Sequence, residues 1–430
     1  MLRRCTSLLA LCVAASRLLS QPPASSSGVE QFIQRAFDQN REILAAQQRV
    51  AESRGLLRQA GVRPAPTIES NAASGRPLGT KGEEEFAVGY FQPVEIGGKR
   101  SKRVLVAGKG LELAEAELAE RKRQLAYEIK IRYIDAVAGQ RKVAAIDRIV
   151  AINRESYRLV DARVQRDDAA PLERQLLLVE LNRTEAQRAT TAGQAQSAKS
   201  ELLRTIAVTI GEPAMPPANA ALPTSVTASL EEIRRRALES RPDLRAMRVL
   251  ASQSTADLEL AETARRPDLT VSAQYSRRYS QFEDPLRTTG SGSPLLLKDR
   301  DNILSLGISI PLQSRKRNQG NVEAAVARHA AANLRRQHLE LTIPIEIEAS
   351  WQRYQGARNT VAILNRGVLD ESEKNLSVIR QAYNLGQLRL LDVLNEQRRL
   401  LETQLSCIDS DAELARSVAD LERTAGGDLK

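Results

Sequence analysis

Few residues in this 430-residue chain are of types that do covalent or metal chemistry. There are two histidines, His329 and His338, and three cysteines, Cys5, Cys12 and Cys407. Cys5 and Cys12 lie in an apolar N-terminal segment, so the rest of the chain has one thiol, no possible internal disulfide and no Cys/His set for a metal. His329 and His338 are nine apart in a polar helical stretch, which is not a ligand spacing, and they read as solvated. Gly97-Gly98-Lys99 lacks the rest of a phosphate loop and reads as a turn from strand into helix. Trp351 and Tyr354 read as packing between helices. No triad, cofactor motif or metal cluster is present, so the chain is not expected to be an enzyme. What remain are carboxylates where helical periodicity breaks: Asp167, Asp168 and Glu173 at one break, Asp392 at another. Such an acid can complement a helix N-terminus and its dipole. Repeated about a symmetry axis, it can instead form a ring of negative charge that concentrates cations in a narrow passage. Both readings stand for these four.

The elements that carry these acids are duplicated. Residue i beside i+201 aligns 29–66 with 230–267, matching Arg35/Arg236, Ala36/Ala237, Ala45/Ala246 and Pro66/Pro267. Further on the offset becomes 218 (Pro93/Pro311, Glu128/Glu346, Tyr133/Trp351) and then 219 (Asp167/Gly386, Glu173/Asp392). Three blocks in one order indicate two copies of one unit, the second longer by about 17 residues between Pro267 and Pro311. Each unit predicts a helix of about 35 residues (29–62; 229–265) ending at a proline, then two strands, then a long helical hairpin. The strands are predicted at 67–74 and 86–92, and at 269–280 and 303–310, with loops at 74–85 and 281–300. After Pro93 an apolar residue recurs every seven, from Ile129 through Ala136, Val143, Val150 and Tyr157 to Val164, as in coiled coils. From Lys99 to Arg166 such a helix would be roughly 100 Å long, which no compact globule contains. The hairpin tips fall near 167–171 and 385–392, a Pro- and Ala-rich linker at 212–228, and a short tail at 426–430.

Val271, Ala273, Tyr275 and Tyr279 alternate with polar residues, as do Leu304, Leu306, Ile308 and Ile310, so each strand has one apolar face. Phe86, Tyr90, Phe91, Tyr275, Tyr279 and Phe282 are six of only 14 aromatics, concentrated in under a tenth of the chain. A small soluble sheet would explain this; so would a membrane barrel with aromatic girdles. Four strands cannot close a barrel, and an open edge is not tolerated in lipid. Three chains would supply 12 strands.

The N-terminus has the order of a secretory signal: Arg3 and Arg4, an apolar run from Thr6 to Ala15, and small residues. Residues 1–20 are read as that signal and 21–28 as a linker, with lipidation at Cys12 a further option. The formal charge of +10 loses Arg3, Arg4 and Arg17 with the signal, and an exported chain meets no nucleic acid.

Three pieces carry a resemblance: Gln92-Pro93-Val94-Glu95-Ile96-Gly97-Gly98-Lys99-Arg100, Asp168-Ala169-Ala170-Pro171-Leu172-Glu173, and Leu385-Gly386 through Leu391-Asp392-Val393-Leu394. With the duplication over 29–425, the sequence resembles the TolC family of outer-membrane efflux proteins, most closely its heavy-metal resistance (CzcC-like) branch. The resemblance implies a mainly α chain with a small β part. It implies a homotrimer with a periplasmic α-barrel and a shared 12-stranded β-barrel in the outer membrane. The partners it implies are outer-membrane lipid, a periplasmic adaptor (membrane fusion) protein and an inner-membrane resistance-nodulation-division pump, the cargo being small molecules or metal cations. In that family acids line the closed periplasmic entrance at the second tip. Asp392 matches that motif, and Asn395 stands where a second acid can occur. Asp167 departs from the pattern, since glycine is usual at the first tip. The alternative is a periplasmic coiled-coil adaptor or structural protein with no membrane barrel.

Overall fold

The computed structural model describes residues 28–78, 83–207, 219–292, 294–311 and 318–429. The signal at 1–20, most of the 21–28 linker, Cys12 and much of the inter-repeat linker lie outside the described residues. The first unit runs α1 (Gly28–Gln39), α2 (Arg41–Ala60), β1 (Thr67–Ser74), β2 (Glu83–Val94), α3 (Lys99–Val164) and α4 (Pro171–Ile206). The second runs α5 (Leu230–Ser240), α6 (Pro242–Thr263), β3 (Leu269–Thr288), β4 (Pro294–Ser309), α7 (Gln319–Leu364), α8 (Val368–Asn384) and α9 (Leu390–Ala425).

Equivalent positions fill equivalent cores. Ala36, Ile43, Leu125, Ile129, Leu202 and Ile206 are buried together among α1 to α4. Their counterparts Ala237, Leu244, Ile343, Ile347, Leu421 and Ala425 are buried together among α5, α6, α7 and α9. Removing such a stripe of apolar side chains from water is what holds each helix group together. Tyr354 joins the second core, its ring 5.7 Å from that of Trp351 and its hydroxyl accepting from Val226 N–H. The expected packing role for both aromatics is thus seen.

Three expectations are corrected. The helices at 29–62 and 229–265 are each two helices. Asn40 breaks the first by accepting Glu42 N–H on its side chain at 2.9 Å, and Pro242, which lacks an N–H, begins the last part of the second. The stretch 281–300 is not a loop. β3 and β4 stay paired from Gln281↔Lys298 to Asp284↔Leu295, and the register shift that follows spans Pro285, a residue tolerated at such irregularities. The descending arm of the second hairpin is interrupted at Asn365-Arg366-Gly367, where Gly367 has φ 99°, whereas α3 continues for 66 residues.

The four strands form one antiparallel sheet in the order β1-β2-β3-β4, leaving β1 and β4 as edges. The register puts Ile68, Tyr90, Ala273 and Leu306 in one row, and Val88, Tyr275 and Leu304 in the next. Over these rows, which also take in Ser70, the face is largely apolar and open, with Leu304 71% and Leu306 79% exposed; the row beyond holds Ala72 and Phe86 with Arg277 and Asn302. The other face carries Glu69, Asn71, Gln274, Ser276, Arg278 and Ser305. Phe91 belongs to that polar face, not with Tyr90, and its ring covers Gly89, where an added Cβ would be 2.7 Å from Phe91 Cε2.

Candidate functional site at the hairpin tips

Both tips are built by the same backbone device. At the end of α3, Asp167 N–H donates to Val164 O (3.1 Å) and Asp168 N–H to Arg163 O (2.9 Å). At the end of α8, Gly386 N–H donates to Tyr383 O and Gln387 N–H to Ala382 O, both at 2.9 Å. This is the pattern of a helix closed by a left-handed residue. Asp167 has φ 59° and Gly386 φ 74°. The next helices also begin alike: Glu173 N–H donates to Ala170 O and Asp392 N–H to Arg389 O, both at 3.0 Å.

The structure gives the four carboxylates different surroundings. Asp392 is exposed, and its Oδ2 accepts Arg389 N–H at 3.0 Å, so it does serve its helix N-terminus while still facing solvent. Glu173 is half-buried and accepts from the Tyr383 hydroxyl at 3.0 Å, tying the first tip to α8 of the second repeat. Burial and this carboxylate both push the Tyr383 hydroxyl above its ordinary range. Asp167 and Asp168 are exposed at the turn, where Arg163 Nη2 donates to the Asp168 backbone oxygen. Glu173 and Asp392 therefore occupy equivalent positions, and Asp167 and Asp168 lie apart at the turn itself.

The sequence reading passed over Arg380, Tyr383 and Gln397. Arg380 Nη2 and Gln397 Oε1 are buried without hydrogen-bond partners. Their pattern was plain helix, and only the packing of α8 and α9 on α3 gives them significance.

At the other end of α3, the Gly97-Gly98-Lys99-Arg100 run turns strand into helix, with φ of 78° and 77° at the two glycines. The left-handed backbone at Gly97 favours glycine, and an added Cβ would lie 2.6 Å from Arg266 Cδ and would have to displace that side chain. Lys99 Nζ donates to Asp268 Oδ1 at 2.8 Å, Arg100 Nε to Gly61 O at 2.7 Å, and Arg103 pairs with Glu95. The motif is a joint that fixes the sheet to α3 and ties the two repeats together through Asp268. His329 is not simply solvated as expected: its ring lies 3.4 Å from Ser254 Oγ, 3.3 Å from Thr255 Oγ1 and 3.1 Å from Asn333 Nδ2. His338 is exposed. Among the described residues no group of three His, Cys, Asp or Glu is placed to hold a metal, and no helix is long and apolar enough to cross a membrane.

Comparison with known proteins agrees with this architecture. Residues 233–427 match the family described as outer membrane efflux protein. A cobalt-zinc-cadmium resistance protein, CzcC, of Cupriavidus metallidurans is 22% identical over 398 residues, 93% of this chain and 90% of that protein. The crystal structure of CusC superimposes with a TM-score of 0.73 at 17% identity, covering 93% of this chain and 92% of that one. The open-state structure of the Neisseria gonorrhoeae MtrE outer membrane channel does so with a TM-score of 0.72 at 17% identity, covering 94% and 90%. The second repeat, residues 233–427, thus matches the outer membrane efflux protein family by sequence, and both repeats share the fold of the compared outer-membrane channel structures.

Proposed function

We propose that this chain is one protomer of a homotrimeric outer-membrane channel that carries small molecules or metal cations out of a tripartite efflux pump. The observation that carries the proposal is the sheet. Four strands with two unpaired edges and an exposed band of apolar residues on one face are incomplete alone, and backbone groups left unpaired at an edge have no partner in lipid. Three copies supply a closed 12-stranded barrel with the polar face toward the lumen. α3 continues below it for 66 residues, about 100 Å, which suits a conduit across the periplasm. The kinship with a cobalt-zinc-cadmium resistance protein favours metal cations as cargo and a resistance-nodulation-division pump with its adaptor as partners. A signal peptide at 1–20 and residence in the outer membrane follow from the same reading. No reaction is assigned, and the family is one of channels.

In this reading the tips form the periplasmic entrance. Asp392, exposed and repeated three times, supplies its ring of negative charge, with Asp167 and Asp168 farther out. Glu173 serves more as a brace through Tyr383 than as a free charge. The test is conductance in planar bilayers under a salt gradient. Asp392→Asn should move the reversal potential toward that of an unselective pore, while Asn395→Asp should increase cation preference. An unchanged reversal potential in Asp392→Asn would return that residue to helix capping alone.

A further inference from the structure

At the tip end of the tube, α3, α8 and α9 enclose a groove of about 720 Å³. Its walls are apolar, with Leu159 and Val160 from α3 and Leu390, Val393 and Leu394 from α9. Two of its polar side chains each have an unpaired atom. Arg380 on α8 is half-buried, and its Nη2 has no hydrogen-bond partner. Burial pushes the guanidinium below its ordinary range, with no carboxylate acting against it. Gln397 on α9 is 3% exposed, and its Oε1 is also unpaired. Arg163 and Arg166 stand on the exposed rim, and Glu155 is the one acid among the described lining residues. Nearby carboxylates are engaged elsewhere: Glu173 by Tyr383, Asp392 by Arg389 N–H and Glu180 by Arg398.

A buried guanidinium nitrogen without a partner is costly, and so is a buried amide oxygen without a donor. Both residues line one groove whose volume lies within the range of about 300 to 1,000 Å³ usual for small-molecule sites, with the apolar walls and few polar groups such sites have. Three arginines against one glutamate make its field positive.

We propose that this groove binds an amphipathic organic anion: one carboxylate on an apolar body. The carboxylate takes the free edge of the Arg380 guanidinium, which suits planar acceptors. The apolar body lies along Leu159, Val160 and Val393. A hydroxyl, amide or water carried with the ligand donates to Gln397 Oε1. Because α3 belongs to the first repeat and α8 and α9 to the second, the ligand bridges the two repeats beside the tips. All the lining residues belong to one chain.

The test uses the full-length protein in lipid nanodiscs. Its probe is 4-phenylbutanoate, with 4-phenylbutylamine and 4-phenylbutanol as cationic and neutral counterparts, read by saturation-transfer NMR and titration calorimetry. The carboxylate alone should bind saturably. Arg380→Gln should weaken it by about tenfold or more, as loss of a charge-assisted hydrogen bond does. Ser156→Trp, which fills the groove from α3 without changing a charge, should abolish it. Helix content and oligomer size establish that each variant is folded. If Arg380→Gln does not fold, the three probes on the wild type and Ser156→Trp decide. Equal binding of the three probes, no binding to the wild type, or full affinity in Arg380→Gln overturns the proposal. Absence of binding together with dissociation of the Arg380→Gln oligomer also overturns it, and would show that a neighbouring copy fills the groove.

Discussion

Where their two short helices meet, the repeats place Asn40 and Arg241, 201 residues apart. The two side chains share one task. Asn40 Nδ2 donates to Thr205 O at 3.2 Å, and Arg241 Nη1 donates to Thr424 O at 3.3 Å. Thr205 and Thr424 are themselves equivalent, at the 219 offset. Beyond that bond the chemistry diverges. Asn40 also caps α2, whereas Arg241, 3% exposed, holds Asp243 on two nitrogens and Glu346 at 2.9 Å. The larger side chain needs room, and the next equivalent pair provides it. Ala207 ends α4 with φ 61°, and Gly426 ends α9 with φ 90°. A Cβ at Gly426 would stand 3.0 Å from Arg241 Cγ and 3.2 Å from its Cα. Asn40 with Ala207 and Arg241 with Gly426 are therefore two solutions to one problem. Duplication has kept a backbone hydrogen bond while the donor and the space beside it changed together.

The largest effect should come from breaking the second solution. Arg241→Met leaves Asp243 and Glu346 without their cation. Removing one member of a buried pair costs roughly 3 to 5 kcal/mol, and about 3 is expected because Glu346 is partly exposed. Asn40→Ala, which removes a cap, should cost about 1 kcal/mol. The two also differ in acid. Burial pushes the Asp243 carboxyl up, but hydrogen bonds and charge from Arg241, with Arg123, outweigh it and hold the group below its ordinary range. A depressed carboxyl contributes stability above its unfolded pKa of about 3.9, and that contribution is lost as the pH falls through the lower folded value. Without Arg241, burial is opposed only by the weaker pulls of Arg123 and the Leu244 N–H, so the acid limb of Arg241→Met should begin at higher pH. Unfolding midpoints measured from pH 7 to pH 3 check both points. Equal losses in Arg241→Met and Asn40→Ala would mean that the ion network does not distinguish the repeats.

Next in size are the glycines of the second repeat. Gly426→Ala places a side chain at positive φ, costing about 1 kcal/mol, and crowds Arg241, so about 2 kcal/mol is expected in all. Gly386→Ala has the same strain with nothing within 4 Å of the new Cβ and should cost about half as much. Combining Gly426→Ala with Arg241→Ala should recover about 0.5 to 1 kcal/mol relative to the sum of the single losses. Strict additivity would break the link between the two positions.

These pairings also show what the sequence made legible. The duplication was readable because core positions kept their apolar character, as in Ile43/Leu244 and Leu125/Ile343. The strands were readable because one face is open and apolar, which enforces period two. Asn40 gave no warning of a break, since it sits in an unbroken polar run and acts through its cap and its bond to the distant Thr205 carbonyl. Pro242 was a warning, because proline starts helices as readily as it ends them. The long β3–β4 ribbon was hidden behind Pro285 and the Gly- and Ser-rich turn, residue types that also make loops. At the tips, the backbone role of Asp392 follows from its place in the first helical turn. The hydrogen bond from Tyr383 to Glu173 joins residues 210 apart, and the unpaired groups of Arg380 and Gln397 arise from packing three helices. No local pattern encodes either.

The smallest effects are expected where the first repeat does without glycine. Among the described residues, Asp167 and Ala207 are the non-glycine residues at positive φ, and their counterparts Gly386 and Gly426 are both glycine. Ala207→Gly relieves a strain of about 1 kcal/mol but gives back part of it, because glycine has more freedom to lose on folding. A gain of about 0.5 kcal/mol is expected. Asp167→Gly should gain less, since the short polar side chain of Asp makes the left-handed region tolerable. Parallel thermal unfolding of the two variants measures the difference. If Asp167→Gly gained as much as Ala207→Gly, the Asp side chain would contribute nothing to its own turn. If it lost stability, the carboxylate at the first tip would be holding the turn, and the two tips, alike in backbone, would differ in what secures them.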